Sequence, residues 1–346
     1  MLAFWRRFKM HTFVFLFNPV DLKHIREFWP LTRLMPDFFI KSFLKDQEFK
    51  ISKLKTFKSS QNKEIQGYFI VSPLLPEQVA GLDQELVLDK IITASYLARD
   101  LGAELLGLGG YAAAIADKKP MLCKHLKTPV TSGTSFTAWS VIEALHRLTK
   151  TKNIDFKKST LAITGATGSV GSLCARKLSA NFGKIILCSK EKDKSEALRK
   201  DILQLNPVEI LIEEDANKAI KDTDVIIAAS AEKNSVFNID QVKPNAVILD
   251  ICLFRHITGK NNHRQDITVV EGGIVKLPLQ PHSQTGMGLP KDMISAAMAE
   301  TMILTFEEKF NTCSLGENIN LDKLEPIADL AVRHGFEVFV PGAPVL

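Results

Sequence analysis

The chain contains no CxxC pair, and its five cysteines (Cys123, Cys174, Cys188, Cys252 and Cys313) are odd in number and scattered. That excludes a disulfide framework and a structural zinc site, and a reduced, cytoplasmic setting is expected. No uncharged apolar run approaches the roughly 20 residues that cross a bilayer, so no transmembrane segment is expected. A strong charge of either sign is also missing. The formal net charge is +5 over 346 residues and is spread along the chain, whereas a nucleic-acid binder concentrates a basic face. No internal repeat, low-complexity tract or metal-ligating cluster is present. The opening "MLAFWRRFKMHTFVFLF" runs into "NPVDLKHIREFW", not into a small-residue cleavage site. "HTFVFLF" reads as a short core strand, and Phe4, Trp5, Arg6, Arg7 and Phe8 leave room for a weak membrane-surface contact.

Apolar residues make up 45% of the chain and charged residues 24%, which is ordinary for a globular protein with room for two cores. Up to about Pro129, short strands mix with helices. "EFKISKLKTFKSSQNKEIQGYFIVSP" alternates as a hairpin does, and "QELVLDKIITASYLARDLG" has helical spacing that stops at Gly102. "AELLGLGG" is a buried strand entering a turn, and "VTSGTSFTAWSVIEALHRLTK" is a loop and a long helix, with the N-cap expected at Thr134 or Ser135. From Ser159, fully apolar strands alternate with amphipathic helices, as in a parallel sheet covered on both faces. The fold expected is therefore α/β. A doubly wound Rossmann domain occupies 131–288, an α/β substrate-side domain 1–130, and closing helices 289–346.

"TLAITGATGSVGSLCARKL" places Gly165, Gly168 and Gly171 between a buried strand and a helix, where the chemistry of a dinucleotide site requires them. The first glycine permits a tight turn and the second lets backbone approach a diphosphate. The helix opening offers amide groups and a positive dipole end. Gly165, Ala166, Thr167, Gly168, Ser169, Val170 and Gly171 are the expected cradle, with Ser230 at a neighbouring strand end. At the end of the next strand, where NAD-binding domains carry an acid for the ribose 2′-hydroxyl, this chain has Ser189 and Lys190. A hydroxyl and an ammonium suit a 2′-phosphate, so NADP(H) is the expected cofactor.

The order of "LLGLGGYAAAI", "PVTSGTSFTAW", "LAITGATGSVGSLCARKL", "VVEGGIVKLP", "AMAETMILTFE" and "SLGENINLDKLEPIADLAVRHGF" resembles that of the long-chain acyl-[acyl-carrier-protein] reductases. The resemblance runs from about His11 onward, and the run from Ala299 to Phe336 is its most specific part. It implies NADPH-dependent reduction of a fatty acyl thioester, carried by acyl-carrier protein or coenzyme A, to an aldehyde. It further implies a cysteine that takes up the acyl group before hydride releases the product. That cysteine belongs to an Ala-Cys-x-Ala-Glu pattern, which here reads Ala296-Ala297-Met298-Ala299-Glu300. Ala297 has no group able to hold an acyl chain.

Three arrangements remain open. A thiol elsewhere takes the role, with Cys252 placed best because "VILDIC" ends a sheet strand at the edge where ligands bind. Alternatively, hydride passes directly to a bound aldehyde, ketone or thioester, with Tyr111, His282 and Glu300 as candidate proton donors. Otherwise the chain binds nucleotide or partner without catalysis. Gly110, Tyr111, Ser132, Gly133, Thr134 and Gly273 are expected on the substrate side, and no metal is expected.

Overall fold

The computed structural model describes all residues except 1–9, 20, 46, 80, 232–236, 253–263, 280–288, 311–312, 317–319 and 342–346. The basic aromatic stretch Phe4–Phe8 and His282 therefore lie outside the described residues, as do the side chains of Cys123 and Cys313.

The first unit contributes strands β1 (His11–Phe17), β2 (Lys50–Ile51), β3 (Lys55–Lys58), β4 (Glu64–Val71), β5 (Leu105–Leu108) and β6 (Val130–Thr131). Helices α1 (Leu22–Phe28), α2 (Asp37–Lys45), α3 (Pro76–Val79), α4 (Gln84–Asp100) and α5 (Gly110–Asp117) connect them. β1 pairs in parallel with β4 and β5, while β2 and β3 run antiparallel to β4. The hairpin expected around residues 50–71 is thus present. Every residue of β5 is buried, which explains why "LLGL" shows no alternation: both faces are covered.

The long helix α6 (Thr134–Lys152) leads into the second unit. There β7 (Thr160–Thr164), α7 (Ser169–Leu178), β8 (Lys184–Cys188), α8 (Lys192–Leu205), β9 (Glu209–Glu213), α9 (Ala216–Ile220), β10 (Val225–Ala228), β11 (Val247–Asp250) and β12 (Thr268–Glu271) follow in turn. The sheet order is β12-β11-β10-β7-β8-β9, parallel throughout. This is the doubly wound arrangement, with the strand order reversing beside β7, where the crevice for a dinucleotide forms. The switch point therefore coincides with the glycine turn.

The end of the chain returns to both units. β13 (Ile274–Lys276) pairs antiparallel with β14 (Met293–Ser295), and later with β16 (Glu337–Val338). α10 (Ala296–Phe306) packs on β1, β4 and β5, and α11 (Leu324–His334) packs on α6 and α10. β15 (Cys313–Ser314) adds an edge strand to the first sheet beside β6. Two helices follow residue 289, and α10 covers the first sheet. The second sheet begins at Thr160, so the boundary expected at 130/131 falls before the connecting helix α6. The N-cap of α6 is Gly133 at φ +67°, not Thr134 or Ser135. Both hydroxyl residues lie within the helix, and another group, described below, accepts from the Phe136 amide in its first turn.

Candidate active site

A cleft of about 1320 Å³ lies between the two sheets. On the nucleotide side it is lined by Thr164, Gly165, Thr167, Gly168, Ser169, Val170, Ser189, Lys190 and Ser230. The turn that presents these groups is built from backbone. The Gly165 and Ala166 amides both donate to the Cys188 carbonyl at 2.9 and 3.2 Å, and the Gly168 amide donates to the Gly165 carbonyl at 3.0 Å. Gly165 stands at φ +73°, and a Cβ there would come within 2.8 Å of the Ser230 Cα. A Cβ on Gly171 would lie 2.4 Å from the Gly165 oxygen. Gly171 therefore serves close packing of α7 under the turn and does not reach the cleft, and Ala166 is fully buried beneath it. Both were expected in the cradle, and their part is to shape it.

The residues present fit a dinucleotide. The α7 N-terminus opens into the cleft with Gly168 as N-cap. The Thr164 hydroxyl, buried at the cleft wall, has no hydrogen-bond partner among the described residues. A buried polar atom in that position calls for a ligand group. At the end of β8, Ser189 shares a 2.8 Å hydrogen bond with Thr167, whose hydroxyl also donates to Glu191 at 2.9 Å. Glu191 lines the cleft and was missed by the sequence reading. Lys194 bonds to it and, with Thr167, holds its carboxyl below the usual range. The adjacent acid is therefore matched by a cation, and Ser189 and Lys190 also line the cleft at this strand end.

Facing this turn are Phe15, Phe17, Gly110 and Tyr111 from the first sheet and its loops, Ser132 and Thr134 at the start of α6, and Gly273 before β13. Ala297 also lines the cleft, in the first turn of α10. That turn is fixed by the Ala296 amide, which donates to Gly273 at 2.8 Å, and by the Ser295 hydroxyl, which accepts from Met298 at 3.3 Å. Gly133 packs against it so closely that a Cβ would lie 2.2 Å from the Ala297 Cα. Its role is this contact, not the substrate wall expected of it.

Two candidate catalytic groups stand differently from expectation. Glu300 is 2% exposed and is not among the residues lining the cleft. Its carboxylate accepts from the Thr131 hydroxyl at 2.6 Å and from the Phe136 amide at 2.7 Å. It thus supplies the N-terminal cap that α6 lacks locally. Burial pushes its pKa upward, against the pull of those two hydrogen bonds. Cys252 does line the cleft, but it is 7% exposed and its thiol donates to the Ala228 carbonyl at 3.4 Å. Burial, and secondly the Asp250 carboxylate, push the thiol well above its ordinary range. Cys174 and Cys188 are pushed to about 12 by burial. None of these three thiols stands where a thiolate is stabilised.

A family profile for shikimate / quinate 5-dehydrogenase matches residues 147–271. The chain is an NAD(P)-dependent oxidoreductase of Rossmann type, and its dinucleotide is NADP(H). It is 27% identical over 299 residues to a long-chain acyl-[acyl-carrier-protein] reductase of Synechococcus elongatus, covering 82% of this chain and 85% of that one. It is 25% identical over 286 residues to the aminotransferase PigE of a Serratia species, covering 81% of this chain but only 33% of that protein. Among solved structures, L-tryptophan dehydrogenase from Nostoc punctiforme superposes with a TM-score of 0.41 at 11% identity, covering 93% of this chain and 80% of that one. Among the described residues no helix is long and apolar enough to cross a membrane.

Proposed function

We propose that this chain is an NADPH-dependent reductase that converts a long-chain acyl thioester to the aldehyde without parking the acyl group on the protein. The observation that carries the reading is that one cleft holds both the glycine turn and Ala297. Residue 297 is where the reductases that this sequence resembles have their nucleophile, and here an alanine in the first turn of α10 lines the cleft. Cys252, the alternative thiol, is buried and bonded to a carbonyl. In this reading the substrate meets the cofactor directly.

The residues divide the work. Gly165, Thr167, Gly168 and Ser169 hold the diphosphate through backbone amides and hydroxyls, and Ser189 and Lys190 hold the 2′-phosphate. When bound, the reduced cofactor supplies a hydride. Phe15, Phe17 and Tyr111 give the opposite wall an apolar surface for an acyl chain, while Ser132, Thr134 and Thr137 offer hydroxyls to its carbonyl end. That polar end also favours a second reading, a dehydrogenase of a small carbonyl compound.

Purified protein mixed with NADPH and long-chain acyl-carrier protein or acyl-coenzyme A tests these readings through absorbance, product analysis and intact-protein mass. Aldehyde with no acyl adduct is the expected result. An adduct at Cys252 establishes a relocated thiol, turnover confined to short aldehydes or ketones establishes the second reading, and tight NADPH binding with no turnover removes catalysis.

A further inference from the structure

In a dinucleotide domain the acid that accepts from the ribose 2′-hydroxyl stands about 20 residues past the glycine turn, at the end of the next strand. Glu191 holds that place, since it follows Gly171 by 20 residues and directly precedes α8. It is the N-cap residue of α8, yet its side chain makes no capping hydrogen bond there. The carboxylate reaches back to the glycine turn instead, where Oε2 accepts from the Thr167 hydroxyl at 2.9 Å, while Oε1 pairs with Lys194. Helix capping therefore does not account for its position. Glu191 lines the cleft together with Thr167, Ser189 and Lys194.

Proton counting fixes the direction of these bonds. Lys194 foremost, and Thr167, hold the Glu191 carboxyl below its usual range, so at neutral pH it only accepts. The one proton of Thr167 goes to Glu191, so in its 2.8 Å contact with Ser189 it is Ser189 that donates. Ser189 Oγ in turn accepts from the Glu191 amide at 3.1 Å. Both hydroxyl protons thus run toward the carboxylate and are committed while it stays in place. A 2′-phosphate that draws on Ser189 and Thr167 competes with Glu191 for the same donors, and the two anions repel. A 2′-hydroxyl stands in the opposite relation, because it donates and the carboxylate is the acceptor it needs.

We infer that Glu191 sets the choice between NADPH and NADH, opposing the 2′-phosphate of the first and accepting from the 2′-hydroxyl of the second. The role belongs to the dinucleotide site and holds whichever carbonyl compound is reduced. The Glu191 side chain is 47% exposed, so it can turn out into solvent. On NADPH binding the carboxylate leaves Thr167 and frees both hydroxyls, whereas with NADH the network stays as it is. Ser189 therefore serves the phosphate only after Glu191 gives way, and the chain keeps a usable affinity for NADH.

Two fragments isolate this subsite, since 2′,5′-ADP and 5′-AMP differ by the 2′-phosphate alone. Their affinities for the full chain are measured by calorimetry at one ionic strength, and those of NADPH and NADH by fluorescence. Glu191→Ala is expected to tighten 2′,5′-ADP and NADPH by about two- to fivefold, the scale of a half-exposed charge interaction. It weakens 5′-AMP and NADH by about as much, through the lost acceptor, so the ratio moves by at least about fourfold. Glu191→Gln keeps an oxygen for Thr167 but no charge; it tightens the phosphorylated ligands to the same extent and weakens the others less. Glu196→Ala removes an acid of α8 that pairs with Arg199 and is not among the residues lining the cleft, and it leaves the ratio unchanged. Equal changes for both kinds of ligand in Glu191→Ala, weaker NADPH binding, or the same shift in Glu196→Ala overturns the inference. A wild type that binds none of the four ligands removes the dinucleotide site itself.

Discussion

Removing the Glu300 side chain separates a structural role from a catalytic one. The carboxylate is buried and accepts two hydrogen bonds, 2.6 Å from the Thr131 hydroxyl and 2.7 Å from the Phe136 amide. Glu300→Ala leaves both donors in a site that excludes water. An unsatisfied buried donor costs about 1–3 kcal/mol, so the pair gives a loss of about 2–6 kcal/mol. Glu300→Gln keeps an acceptor for the Phe136 amide, and its amide group can donate to Thr131 once that hydroxyl turns, so its cost is about 1 kcal/mol. Urea unfolding measures both losses. Amide exchange at Phe136 localises them, with an acceleration of at least about twentyfold expected for the alanine variant, since about 1.4 kcal/mol is a factor of ten.

The pH dependence has a definite sign. Burial raises the folded-state pKa of Glu300 above its unfolded value. Its contribution to stability is therefore complete below the unfolded pKa and declines as pH rises through the folded one. Glu300→Gln lacks that decline, so the wild type's advantage is largest in acid and narrows as pH rises. An alanine variant with unchanged stability and unchanged Phe136 exchange, yet no turnover, would refute the capping role and return Glu300 to the chemistry.

Other substitutions probe the cleft itself. Gly171→Ala puts a Cβ 2.4 Å from the Gly165 oxygen, and overpacking of about 1–3 kcal/mol should weaken NADPH binding by at least tenfold in a fluorescence titration; wild-type affinity would contradict the packing of the turn. Lys190→Asp should weaken NADPH more than NADH, and equal losses would remove the 2′-phosphate assignment. Cys252 should label with iodoacetamide at neutral pH no faster than Cys174, and Cys252→Ala should keep full turnover; rapid labelling with loss of turnover would instead make it the nucleophile. Ala297→Cys should alkylate faster than any of the three described buried thiols, because a thiolate in the first turn of α10 meets the positive end of a helix dipole. If the cleft binds acyl thioesters it should also show an acyl adduct by mass, and an unacylated variant would mean the substrate carbonyl does not reach residue 297.

The nucleotide half of the fold was legible because two signals agree there. Runs such as "VIIA" and "VILD" are buried along their whole length, and the glycines fall where strand and helix meet. The substrate half was less legible, because its contacts join distant segments. β15 is two residues long and pairs with β6 across the chain, and nothing in "CS" announces a strand. Thr134 and Ser135 looked like a cap because hydroxyls cap helices from nearby in sequence. The actual acceptor is Glu300, 164 residues from Phe136, and such pairing leaves no local pattern. Ser132 and Thr134 were expected on the substrate side and do line the cleft, whereas Asp117, which lines it with them, was not expected there, since an acid at a helix end reads as ordinary surface charge.

The alanine at position 297 changes the chemistry without requiring a change of fold. The approach of the α6 loop to α10 is set by Gly133, whose absent side chain lets it sit against the Ala297 backbone, and by the Ser295 and Gly273 bonds that fix the helix start. None of these contacts uses the side chain of residue 297. A thiol there can be lost while the cleft and the cofactor turn keep their places. Ala297 offers no group to a covalent step, yet it lines the same cleft as the glycine turn, so a carbonyl held beside residue 297 would face the cofactor side of that cleft, as direct hydride transfer requires.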